Sequence, residues 1–343
     1  MKSIQWTCPN KNRQEQLKFN ESAPVPTPSG TQVLIKVHAS SVNPIDWTLM
    51  RGGVPWHFMP KIKVPGWDAA GTIVALGPKT GQLGSSPKFN IGDEVMTMLD
   101  CKVSGAFQEY TVVEESFLAK KPERWTYEQA AAWPVVASTV WDALVVRGKM
   151  KKGDKVLIVG ASGGTGTAGV QLAKGLGAYV VGICSTKNVQ MVLDLGADEV
   201  VDYKTTDVTQ KYQNQDFDIV LDTAGSGLEI WSKRSSMLKS NGNFVSIVPP
   251  PNSFDTPFHF LATGVGIGSK KLTTLLQSGP KYHFVSISPD GQVLRQVMEI
   301  LDKVAKVDPV IDSVTELTLP SVLAAFDKSE SARARGKIVL KIV

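Results

Sequence analysis

The sequence contains little cysteine and no long apolar run. Only three cysteines occur among 343 residues, and Cys8, Cys101 and Cys184 lie far apart. An odd number of widely spaced cysteines argues against a disulfide framework and indicates reduced thiols. The apolar runs stop well short of the ~20 residues needed to cross a bilayer, so no transmembrane segment is expected. The first predicted strand already begins at residues 1–6 with no targeting segment before it, and we therefore expect a cytosolic protein.

Neither charge nor histidine is concentrated in one part of the chain. The net charge of +5 comes from 37 basic and 32 acidic residues that are spread along the sequence. Because no basic stripe is present, nucleic acid is not expected as the primary partner. The four histidines, His38, His57, His259 and His283, are also scattered. A metal site built from them is therefore not expected.

What the sequence does contain is a glycine-rich loop between a predicted strand and a predicted helix. The strand at 155–159 leads into glycines at 160, 163, 164 and 166, and a helical pattern then runs to 176. Glycines permit a sharp turn and a close approach of the backbone, while the helix start attracts phosphate. A second apolar strand follows at 179–184. The segment therefore predicts a dinucleotide site, with an ordinary tight turn as the alternative.

The residues after this second strand favour NADPH over NADH. An NAD site usually places Asp or Glu about 20 residues past the loop, on the ribose 2′-hydroxyl. Here the chain reads Ser185-Thr186-Lys187-Asn188, without a carboxylate. A hydroxyl and an ammonium suit a 2′-phosphate, which a carboxylate would repel. The alternative for Lys187 is a solvated side chain at a helix start.

The chain is long enough for two domains, and its patterns change near residue 126. Short β-rich runs at 32–38, 71–76, 94–98 and 107–113 predict a barrel-like or rolled sheet within residues 1–126. A helical stretch at 127–143 then leads into alternating strands and helices, with strands at 155–159, 179–184, 199–202, 217–221, 243–248 and 282–287. This alternation predicts an α/β region with a doubly wound parallel sheet over 127–304. Residues 305–343 return to strand character and are expected to complete the first domain.

Seven motifs in the same order resemble the medium-chain dehydrogenase/reductase superfamily. They are 41–47 (SVNPIDW), 65–71 (PGWDAAG), 92–95 (GDEV), the glycine loop, 195–198 (LGAD), 202–203 (DY) and 335–337 (RGK). Within it, the chain is similar to the zinc-free quinone oxidoreductases of the ζ-crystallin-like and chloroplast-envelope types. The resemblance implies a GroES-like catalytic domain, a Rossmann domain, an active site in the cleft between them, and a homodimer or homotetramer.

The resemblance also shows where zinc ligands are missing. Zinc members of the superfamily bind the metal through Cys, His and Cys, and the matching positions here are Asn43, Trp67 and about Val135. Cys101 stands alone, so the four-cysteine structural zinc lobe is also missing. Without a Lewis acid, electron-poor acceptors are favoured over alcohols. We therefore expect zinc-independent hydride transfer from NADPH to a quinone. The alternatives are an α,β-unsaturated carbonyl as acceptor, or an NADPH-binding protein with an RNA-binding or structural role.

Roles for individual residues follow from the resemblance. It implies that Gly163, Gly164, Thr165 and Gly166 hold the pyrophosphate, that Ser185, Lys187, Tyr203 and Arg333 recognise the 2′-phosphate, that Thr139 and the backbone of Phe284 approach the nicotinamide, and that Asn43 and Asp46 are the catalytic pair beside it. Trp47, Met50, Trp67 and Phe107 are candidates to line the acceptor pocket. Structural alternatives stay open: a turn for Asn43, a helix cap for Asp46, a strand-end aromatic for Tyr203 and a backbone-bonded hydroxyl for Thr139. The segment 258–264 either caps the cleft or packs in an oligomer.

Overall fold

Most strands of the computed structural model belong to two large sheets. The structure describes residues 1–6, 13–51, 64–82, 89–100, 105–225, 227–249, 253, 257–276, 278–303 and 308–343. One sheet has seven strands, five from residues 32–120 and two from the C-terminal tail, while the other has six strands from the middle of the chain. The strands Ser3–Trp6 and Leu17–Asn20 form a separate antiparallel pair. His57, Cys8 and Cys101 lie outside the described residues.

The N-terminal elements are β1 (Ser3–Trp6), α1 (Arg13–Gln16), β2 (Leu17–Asn20), β3 (Gln32–Val42), α2 (Pro44–Thr48), β4 (Asp68–Leu76), β5 (Glu94–Met98), β6 (Tyr110–Glu114) and β7 (Leu118–Lys120). The middle elements are α3 (Tyr127–Ala131), α4 (Pro134–Trp141), β8 (Lys155–Val159), α5 (Gly164–Gly175), β9 (Tyr179–Cys184), α6 (Val189–Asp194), β10 (Glu199–Asp202), α7 (Val208–Lys211), β11 (Phe217–Asp222), α8 (Gly227–Ser232), α9 (Arg234–Met237), β12 (Leu238–Ser246), α10 (Pro257–Leu276), β13 (Lys281–Phe284) and α11 (Gly291–Lys303). The C-terminal elements are β14 (Ile311–Glu316), α12 (Leu319–Glu330) and β15 (Lys337–Lys341).

The C-terminal tail enters the seven-stranded sheet beside β3. The strand order is β14-β15-β3-β4-β5-β7, and β6 also pairs with β3. β15 runs antiparallel to β3, with Val339 opposite Ser41. This pairing brings the first residue of β15, Lys337, close to the end of β3 and the start of α2.

The six-stranded sheet is parallel and has the order β10-β9-β8-β11-β12-β13. Counted from β8, this is the strand order of a doubly wound dinucleotide-binding sheet. Alternate residues of β8 enter different cores: Val156 and Ile158 pack with α4, α5 and α11 on one face, and Leu157 and Val159 face the opposite core. The predicted α/β fold class, a GroES-like sheet beside a doubly wound sheet, is thus confirmed.

The predicted helix at 127–143 is interrupted in the structure. α3 ends at Ala131, α4 begins at Pro134, and a π-helical segment follows over Asp142–Arg147. Proline has no N–H to donate and its ring collides with the preceding turn, so it starts a new helix at this point. Two strand boundaries also differ from the predicted ones: β6 begins at Tyr110 instead of residue 107, and β13 ends at Phe284 instead of residue 287.

Candidate functional site

The glycine loop joins β8 to α5 at the carboxyl edge of the parallel sheet. Gly160 has a φ of +78° and turns the chain, and its N–H and that of Ala161 both donate to the carbonyl of Ile183. A Cβ on Gly166 would lie 2.1 Å from the Gly160 carbonyl oxygen, so only glycine fits this close turn. The first N–H groups of α5, beginning at Gly164, have no acceptor within the helix. The residues present therefore fit the pyrophosphate of a dinucleotide.

The C-terminal tail crosses this loop. The N–H of Gly336 donates to the carbonyl of Ser162 at 3.0 Å, and Gly163 and Gly336 form an isolated parallel bridge. The aliphatic part of Lys337 lies against Gly164, where an added Cβ would be 2.8 Å from Lys337 Cδ. The dinucleotide loop and the start of β15 thus pack directly on each other.

A buried polar cluster, which we define as Ser41, Asn43, Asp46, Asp68 and Lys337, lies behind this crossing. Asp68 is its centre and is fully buried. Its Oδ2 accepts hydrogen bonds from Ser41 Oγ at 2.6 Å and from Asn43 Nδ2 at 2.7 Å. Its Oδ1 accepts the N–H of Val135 at 2.7 Å. That donor is available because α4 begins at Pro134, so the N–H of Val135 lies in the first turn.

Lys337 supplies the positive charge of the cluster. Its Nζ lies 3.2 Å from Asp68 Oδ2 and 2.5 Å from Asn43 Oδ1. The side chains of Lys337 and Asp68 are 6% and 0% exposed, so this ion pair is shielded from water. The two charges orient the amide of Asn43, whose carbonyl faces the ammonium and whose amino group faces the carboxylate.

Asp46 accepts two backbone hydrogen bonds. Its Oδ2 accepts the N–H of Asn43 and its Oδ1 accepts the N–H of Gly66, both at 2.8 Å. Burial raises the pKa of Asp46 to about 7, and the nearby Asp68 charge also raises it, whereas the two N–H donors and Lys337 act in the opposite direction. The bond to Asn43 belongs to a capping box at the start of α2, in which Asn43 is the N-cap and Asp46 is the third helical residue, so Asp46 caps the helix from N3 and is not itself the N-cap. A catalytic role for Asn43 and Asp46 stays a prediction.

The residues at this place do not fit zinc. Asn43 and Val135, two of the positions that match zinc ligands, are linked through Asp68, and an ammonium already binds the carbonyl of Asn43. A buried ammonium repels a divalent cation at such short range. Within the described residues, no group of three or more His, Cys, Asp or Glu is arranged to hold a metal ion.

The predicted 2′-phosphate residues Ser185, Lys187 and Tyr203 lie at the ends of two adjacent strands. Ser185 follows β9, and Lys187 is exposed in the 3-10 turn Thr186–Asn188. Tyr203 follows β10, donates its N–H to the carbonyl of Cys184 at 3.2 Å and is 57% exposed. The three residues therefore lie at the same edge of the sheet, and their role toward a 2′-phosphate, which the resemblance implies, stays a prediction.

A carboxylate that the sequence reasoning missed lies beside these residues. Asp202 Oδ2 accepts the hydroxyl of Thr186 at 2.5 Å, and its Oδ1 accepts the N–H of Lys204 at 2.9 Å. These hydrogen bonds, the one from Thr186 first, lower the pKa of Asp202. The carboxylate comes from the neighbouring strand β10, so reading only the residues after β9 could not find it.

Two arginines near the C-terminus differ in their surroundings. The guanidinium of Arg335 lies 3.6 Å from Met191 Sδ on α6, the helix that follows Lys187. The backbone N–H of Arg335 donates to Asp312 Oδ1 at 2.9 Å. Arg333 is exposed between α12 and β15. The guanidinium of Arg335 thus lies beside α6, and the choice of Arg333, made from its offset from Gly336, stays a prediction.

The two residues predicted to approach the nicotinamide, Thr139 and Phe284, lie on different elements. Thr139 on α4 donates its hydroxyl to the carbonyl of Val135 at 2.7 Å, as its structural alternative expects. Phe284 is the partly buried last residue of β13.

Trp47 Nε1 donates to Ser329 Oγ at 3.1 Å, and Trp67 is partly exposed before β4. Met50 and Phe107 are 1% and 0% exposed and pack in the core of the seven-stranded sheet. We therefore do not carry these two into the proposed acceptor pocket.

Fold and site together define a dinucleotide-dependent oxidoreductase. A family model described as "Alcohol dehydrogenase GroES-like domain" matches residues 29–123, and one described as "Zinc-binding dehydrogenase" matches residues 195–340. A relative from Mus musculus, named "NAD(P)H oxidoreductase RTN4IP1, mitochondrial", is 33% identical over 364 residues, which cover 98% of this chain and 89% of the relative. The chain therefore belongs to the medium-chain dehydrogenase/reductase superfamily and is an NAD(P)H oxidoreductase.

Two further relatives differ in their named activities. One from Arabidopsis thaliana is named "Chloroplast envelope quinone oxidoreductase homolog" and is 32% identical, with 93% of this chain and 92% of the relative covered. One from Aspergillus terreus is named "Trans-enoyl reductase pgmF" and is 30% identical, with 100% of this chain and 96% of the relative covered. Both acceptor classes that the sequence left open thus occur among the names of the relatives.

The ionisation of Asp46 predicts that stability falls as the pH rises toward neutrality. A free Asp has a pKa of 3.8, and the folded value is about 7, so the folded state holds the proton more tightly than the unfolded chain. Its stabilising contribution is complete below the unfolded pKa and is lost as the pH rises through the folded pKa. We expect urea unfolding to show this fall between about pH 4 and about pH 7. Asp46→Asn, which cannot ionise, should reduce the slope.

The control for this prediction is Glu123→Gln, which removes an exposed carboxylate. The control should keep the pH slope of the unaltered protein. If the unfolding free energy of Asp46→Asn fell with pH as steeply as that of the unaltered protein, Asp46 would not titrate in this range.

Proposed function

We propose that the protein is an NADPH-dependent quinone oxidoreductase that works without zinc. The observation that supports this most is the buried Lys337–Asp68 pair, an ammonium and a carboxylate at the place where zinc relatives hold the metal. When bound, NADPH supplies the hydride. The chain's own residues seat and orient the reactants: the glycine loop takes the pyrophosphate, and Asn43 is held in one orientation beside it. An electron-poor quinone suits such a site because it accepts hydride with little polarisation.

A second candidate acceptor is an α,β-unsaturated carbonyl. The name of the Aspergillus terreus relative, a trans-enoyl reductase, favours it. The same cleft would serve both reactions, because each acceptor is conjugated and electron-poor. An RNA-binding or structural role remains the third alternative, and its expected sign is retention on RNA with a steep dependence on salt.

The cytosolic location stays a prediction, since the mouse relative is named as mitochondrial. Among the helices that the structure describes, none combines the length and the hydropathy of a membrane span.

Turnover with a panel of acceptors separates these functions. NADPH oxidation is followed by absorbance with ortho- and para-quinones, enones and alkenals, and NADH serves as the cofactor control. We expect turnover of quinones with a preference for NADPH. Turnover of enones or alkenals alone would replace the quinone assignment, and no turnover despite tight NADPH binding would contradict both reductase proposals.

The proposed 2′-phosphate site predicts a selective loss of NADPH affinity. Lys187→Ala removes a charge-assisted contact and should raise the Michaelis constant for NADPH roughly tenfold, with little change for NADH. Arg335→Ala should act in the same direction because its guanidinium contacts α6, and we expect a smaller effect of Arg333→Ala. Equal losses with both cofactors would refute the assignment of Lys187, and a larger effect of Arg333→Ala would reverse the choice between the arginines.

We also propose that two copies associate through α10 and β13. Four apolar side chains of α10, Phe258, Leu261, Val265 and Leu272, are each more than half exposed. At 100° per residue they fall within about 60° of one another, so they form one outward stripe. Ile267, on the opposite side of the helix, packs toward the core. β13 ends the six-stranded sheet within the described residues, so a second copy could extend the sheet and cover the stripe.

This proposal predicts that a charge in the stripe separates the copies. Val265→Glu would place a carboxylate in the apolar contact, and sedimentation should then detect a monomer where the unaltered protein is a dimer or tetramer. Val146→Glu, at an exposed valine outside α10, is the matched control and should leave the assembly intact. A monomeric unaltered protein, or an unchanged assembly in Val265→Glu, would contradict the proposed interface.

A further inference from the structure

We propose that Lys337 is a positioning residue that ties the dinucleotide loop to the amide of Asn43. A single side chain contacts both: its stem lies on Gly164 and its ammonium binds Asn43 and Asp68. The seating of the cofactor and the orientation of Asn43 would then depend on the same residue. This inference rests on the proposed function for its turnover measurements, and it has a separate spectroscopic test.

The stem of Lys337 is held by the backbone on both sides. Gly336 donates its N–H to Ser162 in the loop, and Lys337 donates its own N–H to the carbonyl of Val310 at 2.8 Å. A Cβ on Gly336 would lie 2.2 Å from the same carbonyl oxygen, and its φ is +89°, so the chain can make this crossing only with glycine. The path of the stem past Gly164 is therefore fixed by the main chain.

The head of Lys337 is held by charge. Two of its N–H groups are directed at Asn43 Oδ1 and Asp68 Oδ2, and neither acceptor reaches bulk water. Any other position of the ammonium would leave the Asp68 carboxylate buried without its counter-charge, which is strongly unfavourable. The head has little freedom to move, so a displacement of the loop is transmitted to Asn43.

The same bonds explain why Asn43 needs this support. Its Nδ2 donates to Asp68 and, more weakly at 3.4 Å, to the carbonyl of Ser41, and its Oδ1 accepts from Lys337. Without the ammonium, Asn43 Oδ1 loses the donor that fixes it, and the amide is held only through its Nδ2 by Asp68 and Ser41. Loss of Lys337 should therefore disturb the geometry of the reaction more than the strength of cofactor binding.

The test uses the full chain with three variants. Lys337→Met removes the charge but keeps an unbranched stem to pack on Gly164. The double variant Asp68→Asn/Lys337→Met removes both charges, so no lone buried charge destabilises it. Lys341→Met is the matched control, since Lys341 lies exposed on the same strand. The measurements are melting temperature, Kd for NADPH, kcat with the best acceptor, and the emission of bound NADPH.

We expect Lys337→Met to lower kcat by about 100-fold, as misplacement of reacting groups does, while the Kd for NADPH changes little. Its bound NADPH should emit at the wavelength of the solvated nicotinamide. The double variant should regain the melting temperature without regaining kcat or the emission of the unaltered protein. Lys341→Met should match the unaltered protein in all four measurements.

Two results would overturn the inference. If the double variant regained full kcat and the original emission, Lys337 would be needed only for stability. If Lys337→Met raised the Kd as strongly as it lowered kcat, Lys337 would act only in cofactor binding. An unaltered protein without turnover on any acceptor would instead refute the proposed function. The emission and Kd of bound NADPH would then still test the role of Lys337.

Discussion

The structure of the candidate site depends on one fully buried carboxylate. Asp68 lies at the start of β4 without access to water, and an uncompensated charge there would cost several kcal/mol. Its partners come from distant parts of the chain: Ser41 and Asn43 at the end of β3, Val135 at the start of α4, and Lys337 at the start of β15. Neutralising this single group therefore requires the C-terminal tail and the break before α4 to be in place.

This arrangement relates the two sheets to the proposed chemistry. Lys337 belongs to the seven-stranded sheet, yet its stem packs on the glycine loop of the six-stranded sheet. A charge balance of lysine and aspartate occupies the region where a zinc enzyme would need three uncharged or anionic ligands. The site therefore fits a dinucleotide, and among the residues that the structure describes it offers no ligand set for a Lewis-acid metal. This is consistent with a reductase whose rate depends mainly on positioning.

Much of the fold could be predicted from the sequence because local periodicity records it. The glycine loop, the alternation of strands and helices and the return of the tail to strand character are all local signals. Local patterns could not predict contacts between residues that lie far apart in the sequence. Asp68 and Lys337 are 269 residues apart in the sequence. Asp202 contacts Thr186 because β10 pairs with β9, and Arg335 contacts α6 because the tail folds back beside the glycine loop.

Packing decided other outcomes that the sequence could not. Apolar character alone does not distinguish a side chain that lines a pocket from one that fills a core, and Met50 and Phe107 proved to be core residues. Asp68 offered one overlooked signal: a carboxylate followed directly by Ala69-Ala70 within an apolar strand is an unusual place for a charge unless it is paired.

The crystal structure of the NADPH complex would test the central claim most directly. The account predicts that Lys337 Nζ remains paired with Asp68 and Asn43 and that the nicotinamide lies beside the amide of Asn43. If Lys337 instead left Asp68 and bound the phosphates of the cofactor, the Lys337–Asp68 pair would not link the glycine loop to Asn43, and the account would be wrong.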